Sequence, residues 1–150
     1  MKYTCSVIID LPANQLADLW ANPDFFDQWQ DGFKSVILLE GESGSIGAKS
    51  KLVYGHEKKD LELIETIILN NLPEKKIALY EHVQMINTQT TCFEKLTDNS
   101  TRFISEVEYT HFRGFIPKLM AMVFPGVFKK QSQKWMDQFK IFAEKKYNSS

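Results

Sequence analysis

The sequence predicts an α+β domain, in which a seven-stranded antiparallel sheet packs against one long C-terminal helix. Three observations predict this class. Apolar residues alternate with period two in seven segments, short turns join most of these segments, and apolar residues recur at helical spacing after Gly114. The 150 residues, 43% of them hydrophobic, are enough for one domain that folds without a metal or disulfide.

The first strand is predicted at residues 2–10, where Tyr3, Cys5, Val7 and Ile9 alternate with Thr4, Ser6 and Ile8. Two short amphipathic helices follow, and Asn22-Pro23 separates them. Six more strands are predicted at 36–39, 49–56, 61–69, 76–83, 88–96 and 101–111. Because the turns between these six are too short for a parallel crossover, we expect antiparallel neighbours.

The C-terminal helix is predicted from its apolar stripe and from the charged residues opposite that stripe. Pro125-Gly126 interrupts the pattern, so a kink or break is expected there. From Arg113 onward there are eight basic and two acidic residues. This asymmetry is typical of a basic helix docked on an acidic body, and the alternatives are a nucleic-acid or membrane tail.

Several functional classes are disfavoured by the sequence. Arginine is rare and the aromatic residues follow the buried stripe, so we predict no nucleic-acid partner and at most peripheral membrane contact. No segment reaches 18 consecutive apolar residues, and the alternating N-terminus lacks the unbroken apolar core of a signal peptide. We therefore expect a cytoplasmic protein. A homodimer formed through the outer face of the sheet stays an alternative.

No motif predicts a metal, a cofactor or a catalytic nucleophile. The three histidines are scattered, and the glycines at 41, 44 and 47 match no phosphate-binding pattern. Cys5 and Cys92 lie far apart in strand-like segments, so both are expected to be reduced and buried. We predict no metal site, no cofactor and no catalytic residue from motifs.

The order of elements carries a family resemblance. Its residues are Leu11-Pro12-Ala13 through Leu19-Trp20-Ala21-Asn22-Pro23, Phe26-x-x-Trp29-x-x-Gly32-Phe33-Lys34-Ser35-Val36, Gly44-Ser45-Ile46-Gly47, Asn99-Ser100-Thr101-Arg102-Phe103 and the terminal helix. The chain resembles the SRPBCC (polyketide cyclase/dehydrase) proteins of the START-like, or Bet v 1-like, helix-grip superfamily. This resemblance implies one START-like domain over residues 1–150, with a curved sheet gripping the C-terminal helix. It also implies a cavity for lipids, sterols, quinones, hormones or polyketides.

Alternation along the strands selects the side chains expected to face such a cavity. The expected liners from the third and seventh strands, and then from the helix, are Leu52, Tyr54, His56, Phe103, Ser105, Val107, Tyr109, Met120, Phe124 and Met136.

The two central strands are ambiguous because an acid interrupts each apolar row. One row contains Glu65 and Ile67, and the other contains Leu79 and Glu81. These four residues are candidate ligand contacts, and a carboxylate in an apolar cavity has its pKa raised by desolvation. The competing phase of the fifth strand turns Tyr80 and His82 inward and leaves Glu81 in water.

Two functions follow as hypotheses. The first is the binding or carriage of a small apolar or amphipathic molecule, such as a lipid, a quinone or a polyketide-like compound. The alternative is a cofactor-free cyclase or dehydratase, in which Glu65, Glu81, Tyr109 and His56 supply acid and base groups.

Overall fold

A computed structural model describes residues 1–56, 58–114 and 125–148, except for the side chains of His56 and Pro125. The strands are β1 (Lys2–Ile9), β2 (Phe33–Glu40), β3 (Lys49–His56), β4 (Lys59–Asn71), β5 (Lys75–Glu81), β6 (Met85–Thr97) and β7 (Ser100–Phe112). The helices are α1 (Ala13–Ala21), α2 (Phe26–Trp29) and α3 (Pro125–Asn148), and a 3₁₀ turn, Pro23–Phe25, joins α1 to α2.

The seven strands form one antiparallel sheet in the order β1-β7-β6-β5-β4-β3-β2. From β2 to β7 each strand pairs with its sequence neighbour, as the short turns predict. β1 and β2 are consecutive strands but lie at opposite edges, and α1 and α2 carry the chain between those edges. The predicted fold class is confirmed.

Three strands, β4, β6 and β7, are longer than the sequence pattern indicates. β4, β6 and β7 have 13 residues each, and the register shifts between Ile67 and Leu69 and between Lys95 and Thr97. Such bulges bend a strand and increase its twist. The described C-terminal helix begins at Pro125, and the predicted helical residues 115–124 lie outside the described part of the chain.

An aromatic cluster forms the centre of the core. The ring of Phe103 on β7 stacks on Phe93 of β6 at 4.7 Å between centroids, and Phe139 of α3 meets its edge at 5.4 Å. Trp20 of α1 and Trp29 of α2 complete the cluster, at 6.3 Å from Phe103 and 5.3 Å from Phe139. These contacts fix α3 against the sheet.

Polar contacts hold the basic helix α3 to the residues that follow α2. Lys134 Nζ lies 2.9 Å from one Asp31 oxygen, and Gln138 Nε2 donates to the other at 3.2 Å. The contact with Lys134 lowers the pKa of Asp31. Since both partners are about half exposed, this ion pair positions the helix but contributes little to stability.

The two cysteines are free thiols. Cys5 on β1 is buried, and Cys92 on β6 is partly exposed.

Candidate functional site

A cavity of about 800 Å³ lies between the inner face of the sheet and α3. Its walls include three rings of the aromatic cluster, those of Trp20, Trp29 and Phe103. The walls come from all of the strands except β2, together with α1, α2 and α3. Small-molecule sites in proteins occupy about 300 to 1,000 Å³ and are mostly apolar with a few polar groups. The volume and the lining of this cavity both have that character.

Many of the residues selected by alternation line this cavity. On the strands they are Leu52, Tyr54, Glu65, Phe103, Ser105, Val107 and Tyr109, and on α3 the liner is Met136. β3 and β7 supply these side chains in the expected phase because the charged residues between them, such as Lys51 and Glu106, face outward. Of the other expected liners, Met120, Phe124 and the side chain of His56 lie outside the described residues.

On β5 the structure has the competing phase, in which Tyr80 faces inward and Glu81 faces outward. Tyr80 lines the cavity and is the cross-strand partner of Glu65, so Leu79 and Glu81 project to the other face and do not line it. His82 does not line it either, because β5 ends at Glu81 and His82 belongs to the turn that leads into β6. Ile67 is buried, but it lies outside the cavity lining, next to the bulge in β4.

Three charged or phenolic side chains meet in the cavity wall where β4 and β5 pair. The Tyr80 hydroxyl donates to Glu65 Oε2 at 2.7 Å, and Lys76 Nζ lies 3.9 Å from the same oxygen. The Lys76 and Glu65 side chains are only 14% and 15% exposed. Burial, and next the Glu65 carboxylate, raise the pKa of Tyr80 well above its ordinary value. Tyr80 therefore keeps its proton, and Glu65 is held as an oriented acceptor.

The polar groups of the sheet continue across three strand pairs. Glu65 is opposite Tyr80, Tyr80 is opposite Asn87, and Asn87 is opposite Tyr109, so the four residues form one row across β4, β5, β6 and β7. All four line the cavity. We call these four residues the polar row; Gln89 of β6 lines the cavity on the same strand as Asn87.

A second polar contact lies where β3 faces α2 and α3. The Tyr54 hydroxyl donates to Gln30 Oε1 at 2.7 Å, and both residues are buried. Burial, and next the charge of Glu65, raise the pKa of Tyr54. The Trp135 ring of α3 lies 5.5 Å from the Tyr54 ring, and its buried Nε1 has no hydrogen-bond partner within residues 1–56, 58–114 and 125–148. Trp135 also lines the cavity.

Two tyrosines form the wall beside β1. Tyr3 shares a hydrogen bond of 2.7 Å with Ser132 of α3, and the Tyr109 ring lies 6.5 Å from the Tyr3 ring. Burial raises the pKa of both tyrosines. Phe128 of α3 packs edge-on against Tyr109 at 5.1 Å. This end of the cavity is therefore aromatic, with neutral hydroxyls.

The polar side chains of the cavity wall are groups that can act as acids, bases or hydrogen-bond partners. Within the described part of the chain, no group of three or more His, Cys, Asp or Glu side chains is placed to hold a metal ion. Among the described helices, none is long and apolar enough to cross a membrane. The cavity lining offers two carboxylates, Glu65 and the Asp31 that is paired with Lys134, together with one ammonium, four phenols and several amides on apolar walls.

Solved structures resemble this architecture along almost its whole length. The ZhuI aromatase/cyclase from Streptomyces sp. R1128 superimposes with a TM-score of 0.80 at 11% identity, over 98% of this chain and 95% of that chain. The protein TTHA0849 from Thermus thermophilus gives 0.76 at 10% identity, over 95% and 97%. The chain has the Bet v 1-like helix-grip fold. No protein-family model and no curated protein matches its sequence.

A third helix-grip structure was solved with small molecules bound. Norcoclaurine synthase from Thalictrum flavum, in complex with dopamine and hydroxybenzaldehyde, has a TM-score of 0.69 and 15% identity, over 95% of this chain and 85% of that chain. At these identities the comparisons establish the helix-grip fold of this chain.

On β5 and β6 the sequence pattern missed three polar cavity residues, Lys76, Asn87 and Gln89. Lys76 was not expected inside, because a lysine in a strand usually marks the solvent face. Asn87 and Gln89 were missed because β6 reads Asn-Thr-Gln-Thr-Thr-Cys and has no apolar alternation. Only the pairing of β6 with β5 and β7 shows which of its faces lines the cavity.

Proposed function

We propose that this chain binds a small amphipathic molecule in the cavity between the sheet and α3. The observation that carries the proposal is a cavity of about 800 Å³ with mostly apolar walls and a compact polar cluster of Glu65, Lys76 and Tyr80. Affinity would come mainly from apolar area, at about 25 cal/mol per Å² before ordering costs. The polar groups would set the orientation of the ligand.

The proposed function also includes the domain's cofactors, its partners and its location in the cell. The whole chain would act as one ligand-binding domain without a cofactor and without nucleic acid, in the cytoplasm. Contact with a membrane would be peripheral, through the lysines of α3, which include Lys129, Lys130 and Lys134. A homodimer is compatible with this function, because the cavity lies on the inner face of the sheet and leaves the outer face free for contact.

A mass measurement tests the proposal directly. Native and denaturing mass spectra of gently purified protein should differ by a ligand-sized adduct that is lost on unfolding. Leu63 of β4 lines the cavity, so Leu63→Trp should fill part of it and abolish the adduct. The same ligand at about 100 times its dissociation constant should raise the free energy of unfolding of the wild type by about 2.7 kcal/mol.

The matched control is Ile68→Trp, which adds the same ring to the same strand at an exposed position. This variant should keep the adduct. If Leu63→Trp retains the adduct at the wild-type level, the ligand does not occupy this cavity and the proposal fails.

A second candidate function is favoured by the contact between Glu65 and Tyr80. An oriented carboxylate beside a lysine in a shielded cavity is a competent general base, which is the requirement of a cofactor-free cyclase or dehydratase. The elementary step would be removal of a proton from the carbon next to a ligand carbonyl. The C–H bond breaks and the proton goes to the Glu65 carboxylate. The electron pair of the broken bond stays on the ligand and forms an enolate.

Deuterium exchange measures that step without knowledge of the natural substrate. In D₂O the protein should exchange the α-hydrogens of 2-acetonaphthone faster than buffer does, and Glu65→Gln should reduce this rate by roughly 100-fold or more. Glu62→Gln is the control, since Glu62 is exposed on the same strand. Exchange at the buffer rate with the wild type would reject the enzyme candidate and leave the binding proposal standing.

A further inference from the structure

Lys76 is the least expected side chain in the cavity wall. Lysine side chains are mostly exposed, yet this one is only 14% exposed and its ammonium group is 3.9 Å from the nearest carboxylate oxygen. Charge-assisted hydrogen bonds from nitrogen to oxygen are about 2.7 to 2.9 Å long. Glu65 Oε2 already accepts a hydrogen bond from the Tyr80 hydroxyl at 2.7 Å. The opposite charges of Lys76 and Glu65 therefore attract each other at 3.9 Å without a hydrogen bond between them.

The donors of Lys76 are therefore available to a molecule in the cavity. Within the described residues, the Lys76 ammonium makes one ion pair, at that longer distance, and lies 5.3 Å from the centre of the Trp20 ring. Both Lys76 and Trp20 line the cavity. An acceptor atom that meets Lys76 would consequently lie beside the indole ring.

The local charges indicate which acceptor fits. Lys76 and Glu65 cancel each other, and Asp31, the other acid in the lining, is paired with Lys134 at 2.9 Å. A carboxylate on the ligand would add an uncompensated negative charge next to Glu65, which is costly in a poorly solvated site. A neutral carbonyl oxygen accepts the same hydrogen bond and adds no charge.

The shape of the neighbouring wall indicates the rest of the ligand. Trp20 lies beside Lys76, and its ring lines the cavity together with the flat rings of its neighbours Trp29 and Phe103. Flat rings pack on such surfaces with offset or edge contacts. A flexible acyl chain would use them less completely and would lose more conformational entropy on binding.

We propose that Lys76 determines ligand specificity by donating a hydrogen bond to a neutral carbonyl oxygen on a flat, largely apolar molecule. This inference rests on the proposed binding function and adds the class of ligand to it. The Tyr80 hydroxyl holds the Glu65 carboxylate, whose charge attracts the ammonium group from 3.9 Å, and the aromatic wall receives the ring.

Three probes with the same ring system test the inference: 2-acetonaphthone, 2-ethylnaphthalene and 2-naphthoate. Their dissociation constants are measured by titration of the wild type, Lys76→Met and Lys75→Met. The ratio of ketone affinity to hydrocarbon affinity should fall by about tenfold or more in Lys76→Met. It should be unchanged in Lys75→Met, because Lys75 is the exposed neighbour on the same strand. An unchanged ratio in Lys76→Met overturns the inference.

A measurement on the wild type covers the case in which Lys76→Met does not fold. The infrared carbonyl band of bound, isotope-labelled 2-acetonaphthone should lie at lower frequency than in an aprotic solvent. A band at the aprotic frequency means that no donor reaches the carbonyl, and the inference fails.

The remaining outcomes separate the inference from the function on which it rests. Tighter binding of 2-naphthoate than of the ketone, lost in Lys76→Met, would show an anion site and overturn the neutral-carbonyl assignment. Equal carbonyl preference in all three proteins would reject the role of Lys76 and leave the proposed binding function intact. Failure of all three probes to bind would count against both.

Discussion

Phe139→Ala should lower the free energy of unfolding by about 3 to 5 kcal/mol. Phe139 is fully buried, and its ring contacts Trp29 of α2 and Phe103 of β7. Removing it opens a void where α3, α2 and the sheet meet, and rigid aromatic neighbours can collapse into that void only in part. Urea denaturation followed by circular dichroism measures the change.

Ile141→Ala is the matched control for Phe139→Ala. Ile141 lies two residues away on the same helix and is 66% exposed. Its truncation should change the free energy of unfolding by less than about 0.5 kcal/mol. Similar losses for the two variants would mean that α3 is not anchored through Phe139, contrary to the packing described above.

Gly32→Ala should be the second most damaging substitution. Gly32 has a φ of +73°, and a Cβ at this position would lie 2.5 Å from the backbone oxygen of Gly55 on β3. The Gly55 amide also donates to Gly32 O at 2.7 Å, so the two backbones cannot separate without loss of that bond. The strain and the forced displacement together should cost about 2 to 5 kcal/mol in the free energy of unfolding.

Gly47→Ala separates the two contributions in Gly32→Ala. Gly47 has a similar φ of +85°, but no atom lies within 4 Å of an added Cβ. It should lose only the roughly 1 to 2 kcal/mol of left-handed strain. Thermal and urea unfolding of both variants give the comparison, and equal losses would refute the steric argument at Gly32.

The fold could be predicted from the sequence because most strands obey a simple pattern. In β7, Arg102, Glu106 and Glu108 share one face, so the opposite face had to be the inner one, and Phe103 and Val107 are indeed buried. In β3, Lys49 and Lys51 share one face in the same way and identify the opposite face, with Leu52 and Tyr54, as the inner one. A local alternation is sufficient wherever one face of a strand meets water and the other meets the core.

The candidate site could be predicted only in part because it breaks that pattern. β5 turns a lysine inward and a glutamate outward, the reverse of what its apolar row indicates. In β6 the residues around Asn87 and Gln89 are all polar, so apolar and polar residues do not alternate there. The assignment of these faces depends on pairing with strands elsewhere in the chain, which no local window of sequence contains.

The polar row has a consequence for how ligand preference can change over generations. Glu65, Tyr80, Asn87 and Tyr109 are neighbours in space, but each belongs to a different strand, and a turn separates each from the next. A point substitution exchanges one polar group and leaves the other three in place. A single-residue insertion or deletion in one of those strands can instead turn its whole inward set of side chains outward. Preference can therefore be tuned in small steps by substitution, or rebuilt at once by a change of strand length.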